Sequence, residues 1–305
     1  MPINSGNIEI SVEPVVSKLL AQKGISLSIA RFDKCHPVIS GNKIFKLQPF
    51  IDEAISRKCD HLVSFGGAFS NHLLAMSFAC KEYGISSTGI IRGDDGAGLN
   101  QTLQQCQQYG MRLEFVSREQ YADLKSIQSN QWIQEKFGEH VMIPEGGYHP
   151  TGATGAMAMY KSLTSHSFSD IAIPVGTGTT LAGFLMADRG RHRILGISCL
   201  KGLRDTSERM KFLTGEERHD NLSLIQDYHF GGFAKYDSSL IDFINEFHES
   251  TGIETDFVYT GKMLFAIMDM IRHDRFSEGS KIVCIHTGGL QGNHSISNLL
   301  SFPVK

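Results

Sequence analysis

The stretch Ile171-Ala-Ile-Pro-Val-Gly-Thr-Gly-Thr-Thr180 contains an apolar run, a glycine-rich turn and the start of a helical segment in immediate succession. The apolar run is typical of a buried strand, because it is short and ends at glycine. Gly176 and Gly178 let the backbone turn its amides inward, and the helix that follows offers the positive end of its dipole. The stretch therefore predicts a strand–turn–helix unit of an open α/β sheet, with an anion-binding loop at its turn.

The same order of strand and helix recurs on both sides of this unit. The other predicted strands are His61–Phe65, Ser87–Ile91, Arg112–Val116, Val141–Pro144, Arg193–Ser198, Leu222–Gln226 and Ser280–His286. Helices are predicted from Ile44, from Ser70 and from Thr180, and over Leu99–Tyr109, Leu240–His248 and Gly261–Ile271. Such alternation indicates βαβ units and parallel sheets. The sequence therefore predicts an α/β fold.

The length of 305 residues is large for one core and sufficient for two lobes. We expect a two-lobed protein in which each lobe is a mostly parallel twisted sheet flanked by helices. No linker, repeat or low-complexity tract marks a boundary, so the chain must cross between the lobes by two short connections, near residues 48 and 150. The prediction is a large domain of residues 1–47 plus 151–305 and a small domain of residues 48–150.

The composition excludes several classes of protein. The formal net charge is −3 and no run of lysine and arginine occurs, so neither nucleic acid nor a membrane surface is an expected partner. The six cysteines form no C-x-x-C pair, which excludes zinc ribbons and suits a reducing cytosol. We find no signal peptide and no apolar segment of about 18 residues, and none of the 13 histidines has metal-ligand spacing. We expect a cytoplasmic protein without a metal.

Five strand or loop ends combine glycine with small polar residues: Ser40–Lys43, Gly66–His72, Glu145–Tyr148, Gly176–Thr180 and His286–Gly289. Turn geometry alone is the simpler explanation for any one of them. Together they predict one crevice, because ligands of open α/β sheets bind beyond the carboxyl ends of the strands.

The glycine loop at Gly176 does not have the sequence of a nucleotide site. Leu181 stands where a dinucleotide fingerprint needs its last glycine, and the loop lacks the lysine of a P-loop. A small phosphorylated cofactor therefore fits better, and a nucleotide-binding α/β protein is the alternative. Lys43 is the natural partner for such a cofactor, because a lysine amine attacks an aldehyde when its site lowers its pKa. From composition alone, an exposed position in a first helical turn is the simpler explanation for Lys43.

The segment Gly41-Asn42-Lys43-x-x-Lys46-Leu47, followed by Gly66-Gly67-x-x-Ser70-Asn71-His72, resembles the signature of the 1-aminocyclopropane-1-carboxylate (ACC) deaminase and D-cysteine desulfhydrase family. The resemblance continues, in the order of that family, through Ile143–Gly147, the Gly176 loop, Val258–Lys262 and Ile285–Gly289. Members of that family are fold-type II enzymes of pyridoxal 5′-phosphate (PLP). The resemblance therefore implies PLP between the two lobes, a small amino acid as substrate and a homodimer.

The resemblance also implies a role for each matching residue. Lys43 would hold the cofactor as a Schiff base and act as acid and base at the α-carbon of the substrate. Asn71 would bond the 3′ oxygen of the cofactor, Ser70 would lie at the substrate carboxylate, and Tyr259 would stack on the pyridine ring. The implied catalytic residues are Lys43, Ser70 and Tyr259. The remaining cofactor contacts are the phosphate ligands and the residue facing the pyridine nitrogen: Gly176, Thr177, Gly178, Thr179, Thr180 and Thr287.

The implied substrate contacts are Ser70, Asn71, His72 and Phe233. Several of these residues have simpler explanations. Ser70 and Asn71 suit the N-cap of a helix, His72 suits a helix interior, and Tyr259 suits a core aromatic at the end of a strand.

Three motifs distinguish the two branches of the family. Tyr259-Thr260-Gly261, His286-Thr287-Gly288-Gly289 and Ser70-Asn71-His72 match D-cysteine desulfhydrases, and Thr260 replaces an acidic residue that could assist the opening of a cyclopropane ring. The expected reaction is therefore a β-elimination from a D-cysteine-like amino acid that gives pyruvate, ammonia and sulfide. ACC deamination is the alternative.

Three phenylalanines depart from the family pattern. Phe45 and Phe69 stand where arginine and glutamine are usual, and Phe233 stands where a second tyrosine is expected, with Tyr236 two residues beyond the turn as its possible substitute. These departures leave a further alternative, a protein that holds PLP without efficient catalysis.

Overall fold

The computed structural model describes residues 8–93, 98–126 and 131–304. Within them, ten strands form two sheets that are flanked by helices. The strands are β1 (Val12–Val15), β2 (Ser26–Ala30), β3 (His61–Gly66), β4 (Ser86–Arg92), β5 (Met111–Val116), β6 (Val141–Ile143), β7 (Asp170–Val175), β8 (Arg193–Ser198), β9 (Leu222–Ile225) and β10 (Lys281–Ile285). The predicted α/β class with two mostly parallel sheets is confirmed.

The helices alternate with these strands, as predicted. They are α1 (Lys18–Lys23), α2 (Lys43–Ser56), α3 (Asn71–Tyr83), α4 (Gln101–Gln108), α5 (Arg118–Ser126), α6 (Gln131–Phe137), α7 (Pro150–Lys161), α8 (Thr179–Asp188), α9 (Thr206–Thr214), α10 (Ser238–Thr251) and α11 (Thr260–Arg272).

The larger sheet has six strands in the order β1-β2-β10-β7-β8-β9. Its strands are parallel except for β1, which pairs antiparallel with β2 at one edge. Strand β7 is buried at every position, as expected of a central strand that helices cover on both faces. The carboxyl ends of β10 and β7 lie next to each other, so the loops that follow them can share a site.

The smaller sheet has four parallel strands in the order β5-β4-β3-β6. All four strands fall between residues 61 and 143, within the predicted small domain, and the large sheet draws on the chain before and after this segment. The carboxyl ends of β3 and β6 are neighbours, which brings the loop before α3 close to Glu145–Gly147. The boundaries near residues 48 and 150 stay a prediction.

Glycines let three helices approach one another closely beneath the site. A Cβ on Gly155 of α7 would lie 2.2 Å from the carbonyl oxygen of Phe45 in α2, and one on Gly183 of α8 would lie 2.6 Å from the carbonyl oxygen of Ala153. Any side chain at either position would force these helices apart. The start of α2, which carries Lys43, is therefore held against the large-sheet helices.

Among the described residues, no helix is long and apolar enough to cross a membrane. All six cysteines are free thiols and five of them are buried.

Candidate active site

The loop before α2 packs directly on the loop after β10. Gly41 lies so close to Thr287 that a Cβ on Gly41 would be 1.7 Å from the Thr287 carbonyl oxygen. The same oxygen accepts a hydrogen bond from the backbone N–H of Asn42 at 3.0 Å. The backbone N–H of Gly289 donates to the hydroxyl of Ser40 at 3.2 Å. Two of the five predicted motifs therefore form one surface, which only glycine at position 41 permits.

The other motifs join this surface through side chains. The Lys46 amine donates to the carbonyl of Gly146 at 3.1 Å, and a Cβ on Gly146 would lie 3.2 Å from the Thr177 methyl group. The side-chain amide of Asn71 donates to the carbonyl of Gly289 at 3.2 Å. All five motifs thus lie together, as the rule for open α/β sheets predicts.

Lys43 is the first residue of α2, and Asn42 connects its amine to the Gly176–Thr180 loop. Its Nζ donates to Oδ1 of Asn42 at 2.6 Å, and Nδ2 of Asn42 donates to the Thr180 hydroxyl at 2.8 Å. The side chain is partly exposed, but the protein surrounds the amine closely. Burial lowers the pKa of Lys43 to about 8, although the charge of Asp256 opposes the shift. An amine with this pKa is a nucleophile at mildly alkaline pH.

A second amine and an imidazole lie beneath Lys43. Lys46 is 5% exposed, and burial together with the charge of Lys43 holds its pKa well below the ordinary value. His72 is also buried, with Nε2 at 2.8 Å from the Ser64 hydroxyl. That hydroxyl donates to the carbonyl of Ile143, so Nε2 must carry the imidazole proton.

His72 is neutral under ordinary conditions. Its burial, followed by the charges of Lys46 and Lys43, lowers its pKa to about 3. Its Nδ1 is buried without a hydrogen-bond partner in the described structure. The structure therefore places His72 in the wall beneath Lys43, and its contact with a substrate stays a prediction.

Ser70 and Asn71 begin α3. The Ser70 hydroxyl caps the helix by accepting a hydrogen bond from the Leu73 N–H at 3.2 Å, which leaves its own proton free to donate. Oδ1 of Asn71 is buried and lacks a hydrogen-bond partner within the described residues. A buried acceptor of this kind is uncommon in folded proteins, and a hydrogen-bonding group of a bound cofactor would satisfy it.

The predicted phosphate loop leads directly into α8. Gly178 has φ of +90°, a conformation that favours glycine, and as the N-cap residue it has no side chain with which to cap the helix. The N–H of Thr179 has a long contact of 3.5 Å with the Thr177 hydroxyl. The hydroxyls of Thr177 and Thr179 lie 3.0 Å apart, and a Cβ on Gly176 would lie 2.9 Å from Cε1 of Tyr259. The uncapped N–H groups of α8 and the neighbouring hydroxyls fit a phosphate.

Asp256 holds the loop that carries Tyr259. Its Oδ2 accepts from the N–H groups of Val258 and Tyr259 at 2.9 and 2.7 Å. Its Oδ1 accepts from the N–H and the hydroxyl of Thr260 at 2.9 and 2.5 Å. Thr260 is fully buried, so its hydroxyl serves the start of α11. Burial, with smaller contributions from nearby negative charge, raises the pKa of the Tyr259 phenol well above its usual range.

The three unusual phenylalanines occupy different environments. Phe45 is 1% exposed and packs edge-on against Phe32 in the core, with ring centroids 5.6 Å apart. Phe69 and Phe233 are 61% and 58% exposed. The ring of Phe233 lies edge-on to Tyr259, with centroids 6.1 Å apart. Phe45 is therefore a core residue, and the Phe233 ring lies beside Tyr259.

A cavity of about 1090 Å³ opens beside the phosphate loop. Thr177 lines it, together with Glu145, Tyr148 and Arg209. Glu145 forms an ion pair with Lys125 of α5. Of the predicted site residues within the described chain, only Thr177 borders this space, so the cavity is an approach to the phosphate loop.

Sequence reasoning missed the supporting roles of Asn42, Asp256 and Lys262. Asn42 and Lys262 lie inside the motifs that were recognised, but their contacts are with residues far away in the sequence. Asp256 has a local signal, because a carboxylate just before a helix commonly caps its N-terminus.

Among the described residues there is no group of three His, Cys, Asp or Glu side chains that could hold a metal ion.

The site combines an activated lysine, five converging loops and an uncapped helix start. This combination is typical of enzymes that bind a phosphorylated aldehyde cofactor between two α/β sheets. A family model described as "Pyridoxal-phosphate dependent enzyme" matches residues 16–288. The chain therefore belongs to this family, and its cofactor is PLP.

Individual relatives agree with this assignment. The chain is 29% identical to a Pyrococcus furiosus protein named "Putative 1-aminocyclopropane-1-carboxylate deaminase", over 95% of this chain and 92% of that protein. It is 27% identical to an Arabidopsis thaliana protein named "Bifunctional D-cysteine desulfhydrase/1-aminocyclopropane-1-carboxylate deaminase, mitochondrial", over 88% of this chain and 73% of that protein. A crystal structure of an ACC deaminase homologue superposes with a TM-score of 0.81 at 24% identity, over 98% of this chain and 95% of that one. That structure has the same fold.

Proposed function

We propose that this protein is a PLP-dependent lyase that removes the amino group of a small amino acid as ammonia and leaves a 2-oxo acid. The observation that supports this most directly is the amine of Lys43. Its lowered pKa makes it reactive, and Asn42 connects it to the phosphate loop. Burial also lowers the pKa of Lys46, so what distinguishes Lys43 is the connection of its amine through Asn42 to Thr180.

The proposed roles of the residues follow from their positions. PLP, once bound, withdraws electrons from the α-carbon of the amino acid that it carries. Lys43 would bind the cofactor and then move the proton at that α-carbon, while Asn71 bonds the 3′ oxygen. Ser70 would donate to the substrate carboxylate with the proton that its capping bond leaves free, and Tyr259 would cover one face of the pyridine ring. Gly176–Thr180 would bind the phosphate, and Thr287 would face the ring nitrogen.

We propose ACC as the first substrate to test. The sequence motifs favour D-cysteine, but the names of the similar proteins support the ACC alternative better, since most of these proteins are named ACC deaminase. Ring opening needs a proton donor for the leaving carbon.

D-cysteine is the second candidate substrate, and the environment of Thr260 favours it. The Thr260 hydroxyl is occupied by Asp256, so the position that is acidic in ACC deaminases offers no acid here. Elimination of a thiol needs less help, because sulfide is a good leaving group. Tyr236, a possible substitute for the missing second tyrosine, packs edge-on against Phe257 with centroids 5.3 Å apart.

An amino-acid panel on PLP-loaded protein tests this proposal. We expect ACC to give 2-oxobutyrate, or D-cysteine to give pyruvate and sulfide, with L-cysteine, serine and β-chloroalanine for comparison. The visible absorption band of the purified protein should disappear in Lys43→Ala. It should persist in the matched variant Lys161→Ala, whose lysine is exposed on α7. A protein that stays colourless when PLP is added would contradict the proposal.

A PLP-binding protein without efficient catalysis is the remaining alternative. The exposed Phe233 beside Tyr259 motivates it, because the phenylalanine lacks the hydroxyl of the tyrosine expected there. The same panel separates the two possibilities. Changes in the visible spectrum without any ketoacid, for every amino acid tested, would favour binding alone.

A homodimer and a cytoplasmic location remain proposals that rest on the resemblance and the composition. Light scattering of the purified protein tests whether it is a homodimer.

A further inference from the structure

The turn His229-Phe-Gly-Gly-Phe-Ala-Lys235 has an unusual backbone. Four of its residues have positive φ: Phe230 at 53°, Gly231 at 91°, Gly232 at 122° and Ala234 at 52°. Two of these four residues are not glycine, and side-chain-bearing residues rarely adopt this region. A turn of this shape persists only when surrounding contacts impose it.

The side chain of Lys262 supplies such contacts from inside the protein. Lys262 is fully buried in the first turn of α11. Its Nζ donates to the carbonyl oxygens of His229 at 2.8 Å and Gly232 at 2.7 Å. A buried lysine is rare unless its donors are satisfied, and here two carbonyls of one turn satisfy it. The amine therefore cross-links the two halves of the turn.

The same turn presents Phe233 next to Tyr259. Phe233 is 58% exposed and stands edge-on to the Tyr259 ring, which itself packs on Gly176 of the phosphate loop. Tyr259 lies one helical turn before Lys262. The start of α11 therefore positions the Tyr259 ring directly, and it positions the Phe233 ring through Lys262 and the turn. Phe230 packs on Phe265 of the same helix with centroids 5.0 Å apart, which ties the other end of the turn to α11.

We propose that Lys262 is a positioning residue for substrate selection: by holding the turn of residues 229–235, it fixes Phe233 as an apolar wall beside Tyr259. The proposal rests on the proposed lyase function and adds a substrate class to it. A wall of this kind favours amino acids whose side group is small and weakly hydrated, such as a cyclopropane or a thiol, over one with a hydroxyl, by about a hundredfold at most. Phe233 would contact the substrate, and Lys262 would act only through the turn.

Four variants test the role of Lys262. Lys262→Met keeps the length and apolar stem of the side chain but removes its donors, and Lys262→Arg restores donors as the conservative replacement. Phe233→Ala removes the wall. Tyr228→Phe is the matched control, because it deletes a different bond between this region and α11, from the Tyr228 hydroxyl to Asp269 at 2.8 Å, without touching the turn.

We expect Lys262→Met to raise the KM of the preferred substrate by about tenfold while kcat falls less, because a misplaced wall weakens binding more than chemistry. The visible band of bound PLP should be unchanged. Lys262→Arg should recover part of the loss, and Tyr228→Phe should behave like the wild type. In the Phe233→Ala background, Lys262→Met should change KM by less than about twofold, because coupled residues give non-additive effects.

Two results would overturn the proposal: an unchanged KM in Lys262→Met, or an effect of equal size with and without Phe233. If no amino acid in the panel is turned over, the proposed lyase function fails by itself. The role of Lys262 is then read from dissociation constants, measured through the spectral shift that each amino acid causes in bound PLP. Should Lys262→Met not fold, Lys262→Gln keeps an uncharged N–H donor group on a shorter side chain. It is expected to show an intermediate rise in KM or dissociation constant, and wild-type values would again overturn the proposal.

Discussion

At the scale of single residues, Lys43 combines two properties that usually exclude each other. Its side chain is partly exposed, yet protein packs closely enough around the amine to lower its pKa to about 8. Asn42 explains how the amine is oriented, because its side chain accepts from Lys43 and donates to Thr180 at the same time. A single amide thus sets the distance between the reactive amine and the helix start that would bind the phosphate.

The lowered pKa predicts how cofactor capture depends on pH. Only the neutral amine attacks the aldehyde of PLP, and the folded-state pKa of Lys43 lies below the ordinary 10.5. The rate at which cofactor-free protein captures PLP should therefore rise with pH, with a midpoint near 8. Stopped-flow absorbance at a series of pH values measures it. A midpoint close to the ordinary lysine value would contradict the burial of the amine.

Sequence patterns predicted the residues that meet at the site better than the residues that support it. The order of motifs predicted that Lys43, Asn71 and Thr287 would lie in one crevice, since the carboxyl ends of parallel strands share an edge. Lys262 acts on the backbone of His229 and Gly232 through tertiary contacts. Such contacts have no periodic signal in the sequence and can be seen only once the chain is folded.

At the scale of elements, eight of the ten described strands and six of the eleven described helices were predicted, and the elements that were missed are β1, β2, α1, α5, α6, α7 and α9. Helix α7 contains Gly152 and Gly155, which disfavour a helix in isolation. The structure needs Gly155 because α2 approaches its backbone too closely for a side chain. Strand β1 contains Pro14, which central strands exclude but an edge strand such as β1 tolerates. Both departures follow from tertiary packing, which local propensity does not report.

The contact between the loop before α2 and the loop after β10 predicts a large effect of Gly41→Ala. Gly41 has φ of +75°, and a Cβ there would lie 1.7 Å from the Thr287 carbonyl oxygen. We expect the free energy of unfolding to fall by about 3 kcal/mol or more, because backbone must move to relieve the overlap. PLP affinity should fall as well, since Lys43 follows two residues later. Denaturant unfolding and PLP titration measure both.

Gly84→Ala is the matched control for this prediction. Gly84 has φ of +67° at the end of α3, but a Cβ there meets nothing within 4 Å. The control therefore carries only the conformational penalty of about 1 kcal/mol. Equal losses in the two variants would show that backbone conformation at Gly41, and not the contact with Thr287, decides the effect.

At the scale of the whole molecule, the proposed cofactor site joins the two sheets. Lys46 of α2 bonds to Gly146 at the end of the small sheet, and Asn71 of α3 bonds to Gly289 beyond β10 of the large sheet. A cofactor bound here would touch loops from both sheets at once. Binding should therefore stabilise the whole chain against unfolding, and the phosphate should provide much of that stabilisation through the start of α8.

Removal of the cofactor tests this linkage. PLP at a hundredfold excess over its dissociation constant should stabilise the folded chain by about 2.7 kcal/mol, which raises Tm by roughly 4 °C. Pyridoxal, which has the aldehyde but no phosphate, should give a smaller rise at the same concentration, because the N–H groups of α8 stay unpaired. Inorganic phosphate alone should give a small rise through the same groups. Differential scanning fluorimetry measures all three, and equal shifts with pyridoxal and PLP would contradict the assignment of Gly176–Thr180 as the phosphate site.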